Sequence, residues 1–328
     1  MKANILERFG GTENFVFGEV ETPRPGANDV LVRLEAVGVN MGDAMIRSGS
    51  TGMQMPMPTV LGSEAAGVIE AVGSAVTGLK PGDRVYAAPF VAGALGGAYA
   101  THMATPAETV FKLPEHVSNE TAVAVGIPGV TALRLSRMVP LAGRSVVVHS
   151  AAGGVGTLLV QLAKSAGART VIGTVGDAGK ASVAAEMGAD EVVTYDRWVE
   201  AAKTAGVDVI FDAVGGEVSA EGLAVLAPGG TFITYGGSSG TYPSIGPEAF
   251  AAFVMRSQTI MGFSMWSLIG DPERRGTVLG GLFAELYGLL GTGKLKAVVG
   301  HRLPLEAAGE AHRLLESRKS TGKIILVP

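Results

Sequence analysis

Residues Ser150-Ala151-Ala152-Gly153-Gly154-Val155-Gly156 follow an apolar strand predicted over Ser145 to His149. They open an amphipathic stretch, Leu158 to Ala166, that stops at Gly167. These residue types at this spacing suit a dinucleotide diphosphate. Glycines let the backbone turn sharply and approach the anion, while N–H groups and the positive end of the helix dipole face it. Ala151 stands where the first glycine of a G-x-G-x-x-G pattern would be, and glycine is abundant in the chain. The context is therefore what carries the motif. A second strand, Thr170 to Thr174, begins just after the helix and completes the strand–loop–helix–strand unit that the mechanism requires. The bland reading is a structural glycine turn.

A cradle selective for NAD places Asp or Glu at the tip of the second strand to accept from the adenine ribose hydroxyls. Here the tip reads Gly173-Thr174-Val175-Gly176. Absence of a carboxylate leaves room for the 2′-phosphate of NADPH, and Lys180 is within reach as a point-charge partner. Asp177 is read as the cap of a helix beginning near Ala178. Lys180 has its own bland reading, a solvated residue in a first helical turn, where the dipole slightly disfavours a cation.

The elements that position these residues come from a chain of 328 residues, long enough for two cores, with 47% hydrophobic content. A formal charge of −4 and the lack of a Lys/Arg-rich run argue against nucleic acid or anionic membrane as the main partner. A small-molecule substrate is expected instead. No apolar stretch approaches a membrane span, and Met1 to Arg8 lacks the layout of a secretory signal, so a cytoplasmic location is expected. Zero cysteines exclude disulfides, thiolate catalysis, iron–sulfur clusters and sulfur-ligated zinc.

Short glycine-punctuated strands, Val30 to Val37, Gly67 to Val72 and Asp83 to Ala87, predict a β-rich first part. Thr121 to Ser136 reads as helices leading into a second domain, with the boundary placed near residue 123. Strands then alternate with helices: Ser145 to His149, Thr170 to Thr174, Glu191 to Thr194, Val207 to Phe211 and Thr231 to Tyr235. That alternation predicts an α/β fold with a doubly wound parallel sheet. From about Gly262 the chain carries helices Arg275 to Leu290 and Leu305 to Ser317 and a final strand, Lys323 to Val327, expected to return to the first domain.

The chain resembles the zinc-free quinone oxidoreductase branch of the medium-chain dehydrogenase/reductases. The resemblance rests on Val37-Gly38-Val39-Asn40 with Asp43, Arg47-Ser48-Gly49, Leu61-Gly62-Ser63-Glu64-Ala65-Ala66-Gly67, and Lys80-Pro81-Gly82-Asp83-Arg84-Val85. It continues through Gly97-Ala98-Tyr99-Ala100, Gly129-Val130-Thr131-Ala132, the cradle, Tyr195, Gly229-Gly230, Glu316-Ser317-Arg318 and Thr321-Gly322-Lys323. It implies a GroES-like β-rich domain (residues 1–123 and 262–328) split around a Rossmann NADPH-binding domain (residues 124–261), and a homodimer formed through Rossmann edge strands. It also implies roles for residues. Ala152, Gly153, Gly154, Val155 and Gly156 meet the pyrophosphate; Gly176, Lys180 and Tyr195 surround the 2′-phosphate. Tyr235, Gly236 and Gly237 line the nicotinamide side, and Phe263, Ser264 and Met265 offer backbone to its carboxamide. Asn40, Thr131 and Lys323 are further nicotinamide or phosphate neighbours. Each also has a bland counterpart: surface aromatic for Tyr195, core for Phe263, helix cap for Thr131, solvated strand residue for Lys323.

The chain departs from zinc-dependent relatives, which carry a cysteine after the first-domain strand, a histidine at the position of Ser63 and a loop of four cysteines. Metal polarisation is therefore not expected, and His102, His116, His149, His301 and His312 show no ligand-like pairing. Met45 stands where many quinone reductases place a tyrosine. The expected chemistry is hydride transfer from NADPH to a quinone or an enone β-carbon, with no dedicated protein acid. Asn40, the cofactor ribose, Tyr99 and Tyr242 are the candidate donors to the developing negative charge. The Met-rich run Met53 to Met57 and the stretch Tyr242 to Trp266 are expected to border the substrate, or else to be loop packing. Two other readings are a 2-enoyl thioester reductase, with Arg256, Arg274 and Arg275 as its basic entrance, and a catalytically silent NADPH-binding protein.

Overall fold

Six strands of the computed structural model lie parallel in one sheet, in the spatial order Glu191–Thr194, Thr170–Val175, Ser145–Val148, Val209–Asp212, Thr231–Thr234 and Thr259–Gly262. Numbered along the chain, that order is 3-2-1-4-5-6, the doubly wound arrangement in which direction reverses beside the first strand. The structure describes residues 1–93, 96–241, 246–269 and 275–328. Tyr242 and Arg274, both candidates from the sequence, lie outside the described residues.

The described chain divides into two units, Met1–Ile127 with Leu268–Thr292 and Ala297–Pro328, and Pro128–Ser267 with Gly293–Lys296. In the second unit the central strands are near-continuous apolar runs because helices cover both faces of a parallel sheet. Val147, Ile172, Ile210 and Phe232 form its core with Trp198 and Ala202 from the helix Trp198–Ala205. The sixth strand, Thr259–Gly262, was not anticipated. It is an exposed edge strand without a buried apolar run to mark it.

The first unit holds a small antiparallel sheet and a larger one that is antiparallel except where Val299–Pro304 runs parallel to Lys323–Val327. Val299–Pro304, Lys323–Val327, Asp29–Val39, Ala65–Val72, Arg84–Ala87 and Val110–Lys112 lie side by side, and His102–Pro106 also pairs with Asp29–Val39. The last strand pairs antiparallel with the 11-residue strand Asp29–Val39, so Lys323 is brought beside the end of a strand that leads into Asn40. A smaller sheet sets Lys2–Leu6 between Phe15–Glu19 and Thr59–Val60. Helix Met41–Ser48 was also not anticipated, because buried Asp43 and Arg47 interrupt its apolar face. Among the described residues no helix is long and apolar enough to cross a membrane.

Candidate active site

The cradle sits at the carboxyl end of strand Ser145–Val148, beside the point where strand order reverses, which is where open α/β sheets place ligands. Gly153, in extended conformation, precedes the helix Gly154–Ser165 and no side chain caps it. The amides of Gly154, Val155 and Gly156 therefore have no acceptor within the helix and point out of its positive end. A Cβ on Gly156 would collide with the Ser150 carbonyl oxygen and lie 2.8 Å from Ala151 Cα. Only glycine fits there. The departure at Ala151 has a steric counterpart, since a Cβ on Gly173 would lie 2.9 Å from the Ala151 methyl. The side-chain-free position has moved to the neighbouring strand.

Ser150 turns the chain with a positive φ of 55°, and its N–H donates to the Tyr195 hydroxyl at 3.0 Å. Tyr195 thus braces the cradle turn rather than standing as a surface aromatic. Its ring stacks on His149 at 5.8 Å, and His149 Nδ1 meets Thr174 Oγ1 at 2.9 Å. Burial holds the His149 imidazole well below its ordinary pKa, with Asp212 opposing, so it is neutral near pH 7. Asp212 accepts from the Val214 and Gly215 amides and from Ser219 Oγ, building the turn after the fourth strand. Burial, reinforced by Asp212 and Tyr195, pushes the Tyr235 phenol far above its usual range. Gly236 and Gly237 follow it in the same half-buried segment.

At the tip of the second strand, Gly176 is exposed and open. Asp177 caps the short turn Ala178–Lys180 by accepting from the Gly179 amide at 2.7 Å. Lys180 stands at the end of that turn, its pKa lowered by partial burial against the opposing pull of Asp177. Thr131 is buried on the helix Ile127–Leu135, and Phe263, Ser264 and Met265 follow the edge strand. An uncapped helix terminus, a glycine that tolerates no Cβ and a strand tip with an open glycine together fit a dinucleotide diphosphate bearing a further phosphate on its ribose.

In the first unit, Asn40, Ser63, Glu64 and Lys323 meet. Lys323 is 3% exposed and Glu64 is 0% exposed. The Lys323 ammonium donates to Glu64 Oε1 at 2.5 Å and to Asn40 Oδ1 at 2.6 Å. Asn40 Nδ2 donates to Glu64 Oε1 at 2.9 Å and to Ser63 Oγ at 3.1 Å. Glu64 Oε2 accepts from Tyr86 Oη at 2.6 Å and from the Ile127 amide at 3.0 Å. Each charge in this pair is buried and every carboxylate oxygen is satisfied, which is the condition under which such a pair is tolerable.

Two expectations are corrected here. Both Asn40 amide hydrogens are already committed, so its side chain does not offer the spare donor expected of it. Tyr99 is fully buried, its hydroxyl held by His312 Nε2 at 2.9 Å and Asp43 Oδ2 at 3.3 Å, so it belongs to the interior. Arginine can only donate, so the bond from Arg47 Nε to His312 Nδ1 puts the imidazole hydrogen on Nε2. Desolvation pushes that imidazole down to about 3, and raises the buried Asp43 carboxyl to about 6. Lys323 is likewise an interior residue rather than a solvated one.

Met53, Met55 and Met57 alternate with exposed neighbours and pack on the core of their own unit, as loop packing requires. Arg256 spends its guanidinium on the Ala224 carbonyl at 2.8 Å. Sequence reasoning gave no role to Glu64, Tyr86, Asp43, His312 or Asp212. The available signal was a carboxylate inside the small apolar run Leu61 to Gly67, since such a charge is buried only when paired. Among the described residues no three His, Asp or Glu side chains converge as a metal site.

A family model described as an alcohol dehydrogenase GroES-like domain matches residues 26–115, and one described as a zinc-binding dehydrogenase matches residues 187–326. Human quinone oxidoreductase is 32% identical over 100% of this chain and 98% of its own. The crystal structure of Escherichia coli quinone oxidoreductase complexed with NADPH covers 100% of both chains at 32% identity with a TM-score of 0.90. The crystal structure of a 2-haloacrylate reductase matches with a TM-score of 0.80 at 31% identity, over 100% of this chain and 99% of that one. With sequence and fold agreeing along the full length, this chain belongs to the zinc-free quinone oxidoreductase branch of the medium-chain dehydrogenase/reductase superfamily.

Proposed function

We propose that the protein is an NADPH-dependent oxidoreductase that reduces a quinone or the activated C=C of an enone. The observation that carries this reading is the uncapped cradle at the switch point, combined with a strand tip that bears Lys180 nearby and no carboxylate on the strand itself. The NADPH complex of the Escherichia coli relative supports it. NADPH, when bound, supplies a hydride equivalent to an electron-poor carbon.

The chain's own residues bind and orient. Ala152 to Gly156 hold the diphosphate by backbone amides, with Tyr195 fixing the turn at Ser150. Gly176, Lys180 and Tyr195 take the 2′-phosphate. Tyr235, Gly236, Gly237 and the backbone of Phe263 to Met265 border the nicotinamide, and Asn40, Thr131 and Lys323 complete the surroundings. On this reading residues 124–261 are the cofactor domain and residues 1–123 with 262–328 the substrate domain. Homodimerisation belongs to the same reading: among the described residues strand Thr259–Gly262 is the edge of its sheet, and Phe250, Val254 and Ile260 are exposed near it in the chain. The protein is cytoplasmic on this reading.

The likeness to a 2-haloacrylate reductase favours activated alkenes as the substrate class beside quinones. NADPH oxidation is to be followed against quinones, enones, 2-haloacrylates and 2-enoyl thioesters, with NADPH affinity measured separately by fluorescence. Turnover confined to thioesters replaces the substrate assignment, and tight NADPH binding without turnover of any class replaces the enzyme reading.

A further inference from the structure

Tyr195 bridges two parts of the second unit that the cofactor reading keeps separate, the strand tip and the cradle turn. It follows the strand Glu191–Thr194, whose last residue pairs with Val175, and its hydroxyl reaches Ser150, beyond the end of Ser145–Val148. The strand Thr170–Val175 lies between those two in the sheet, so the phenol crosses its carboxyl end. The ring has a fixed floor: it stacks on His149, which is held by Thr174 Oγ1 and set edge-on against Trp198 at 4.6 Å. The hydroxyl accepts from the Ser150 N–H at 3.0 Å, which leaves it one hydrogen to give. Among the described residues the neighbour for that hydrogen is Ser150 Oγ at 3.5 Å, beyond the limit of about 3.0 Å for an O–H···O bond. Tyr195 is half-buried, and the end of the strand it crosses is open at Gly176. Ser150 itself, at a φ of 55°, is in a left-handed conformation that a residue with a Cβ adopts only when held there. Its carbonyl accepts from the Gly153 N–H at 2.9 Å and lies where a Cβ on Gly156 would be. The conformation of Ser150 therefore sets where the helix Gly154–Ser165 begins and where its free amides point.

We propose that Tyr195 couples the two anion subsites of the cofactor: its spare hydrogen goes to the 2′-phosphate at the strand tip, and its oxygen, made a stronger acceptor, holds the Ser150 turn in the shape that receives the diphosphate. The inference rests on the NADPH reading above and lies wholly within the second unit. A hydroxyl that donates to an anion accepts more strongly, because each bond in such a chain polarises the next. The coupling is reciprocal, so a filled cradle also strengthens the phosphate site. Preference for NADPH then has two sources in this chain. Lys180 answers the phosphate charge directly, and Tyr195 carries the effect of that charge across the strand tip to the cradle. A nucleotide without the 2′-phosphate keeps the Ser150–Tyr195 bond in its weaker form.

Tyr195→Phe keeps the ring on His149 and removes the hydroxyl. It is to be compared with the wild type in two measurements: NADPH and NADH affinity by fluorescence, and hydrogen exchange of the Ser150 amide by NMR with and without saturating adenosine 2′-monophosphate, which carries the 2′-phosphate and no diphosphate. The expected result is that Tyr195→Phe weakens NADH by about threefold, through the lost brace, and NADPH by about thirtyfold, through the lost brace and the lost bond to a charged group. The 2′-monophosphate should slow exchange of the Ser150 amide several-fold in the wild type and leave it unchanged in Tyr195→Phe. Equal losses for the two dinucleotides, a loss for NADPH alone, or a bound 2′-monophosphate that leaves the wild-type Ser150 amide unprotected each overturn the coupling. The last of these needs no variant and so stands even if Tyr195→Phe fails to fold. A wild type that binds NADPH no more tightly than NADH refutes the cofactor reading and the proposal with it, whereas a preference that survives intact in Tyr195→Phe overturns the proposal alone.

Discussion

The cradle and the Glu64–Lys323 cluster solve opposite problems. The cradle is built from seven consecutive residues that act through backbone amides, and a neutral anion-seeking surface is created by leaving a helix end uncapped. The cluster joins residues separated by 259 and 283 positions in the chain and acts through charged side chains that must be matched atom by atom. The first tolerates most side-chain changes and no added bulk at Gly156. The second tolerates bulk poorly and loss of charge least of all. Local backbone geometry suffices for the one, whereas the other depends on long-range side-chain pairing.

The contrast is most easily broken at Lys323. Lys323→Met leaves Glu64 buried without a cation, and urea denaturation should show a stability loss of about 3–5 kcal/mol; a loss below about 1 kcal/mol would mean the pair is not closed as described. Next comes a difference in the sign of pH dependence. Asp43 is raised from 3.8 to about 6, so the stability it contributes is complete below 3.8 and lost as pH rises through 6. His149 is lowered, so its contribution is present above the ordinary histidine range and lost as pH falls. Asp43→Asn should therefore remove a decline of about 2 kcal/mol between pH 4 and 6, and His149→Gln a decline of opposite direction. Equal slopes in the wild type and both variants would contradict the burial of these groups.

The cradle is probed by smaller effects. Gly156→Ala places a methyl against the Ser150 carbonyl and should weaken NADPH and NADH alike, by about tenfold or more in fluorescence titrations. If Lys180 pairs with the 2′-phosphate as proposed, Lys180→Ala should weaken NADPH by about tenfold and NADH hardly at all. Equal losses for both nucleotides would remove Lys180 from the 2′-phosphate site. At the bottom of the scale, EDTA should leave the rate unchanged, and inactivation reversed by Zn²⁺ would overturn the metal-free chemistry.

Much of the second unit was legible in the sequence because its strands are buried on both faces and read as apolar runs between glycines. Thr170–Val175 and Glu191–Thr194 lie within a residue of their expected limits. The edge strand Thr259–Gly262 was not, since three of its four residues are exposed and no apolar pattern marks it. In the first unit Lys323 was picked out only through a family motif, and its actual environment, a buried carboxylate contributed from residue 64, depends on strand pairing that no local pattern encodes. Asn40 shows the same limit in another form. Its type suggested a spare donor, but whether an amide hydrogen is spare depends on neighbours brought in by the fold.

The packing of Ala151 against Gly173 has a consequence for how such loops are read. The space between these two adjacent segments holds one methyl group, here carried by Ala151. Exchanging the two residues, Ala151→Gly together with Gly173→Ala, should restore what Gly173→Ala alone disrupts, so a pattern search demanding glycine at the first motif position passes over chains that satisfy the same geometry from the opposite side.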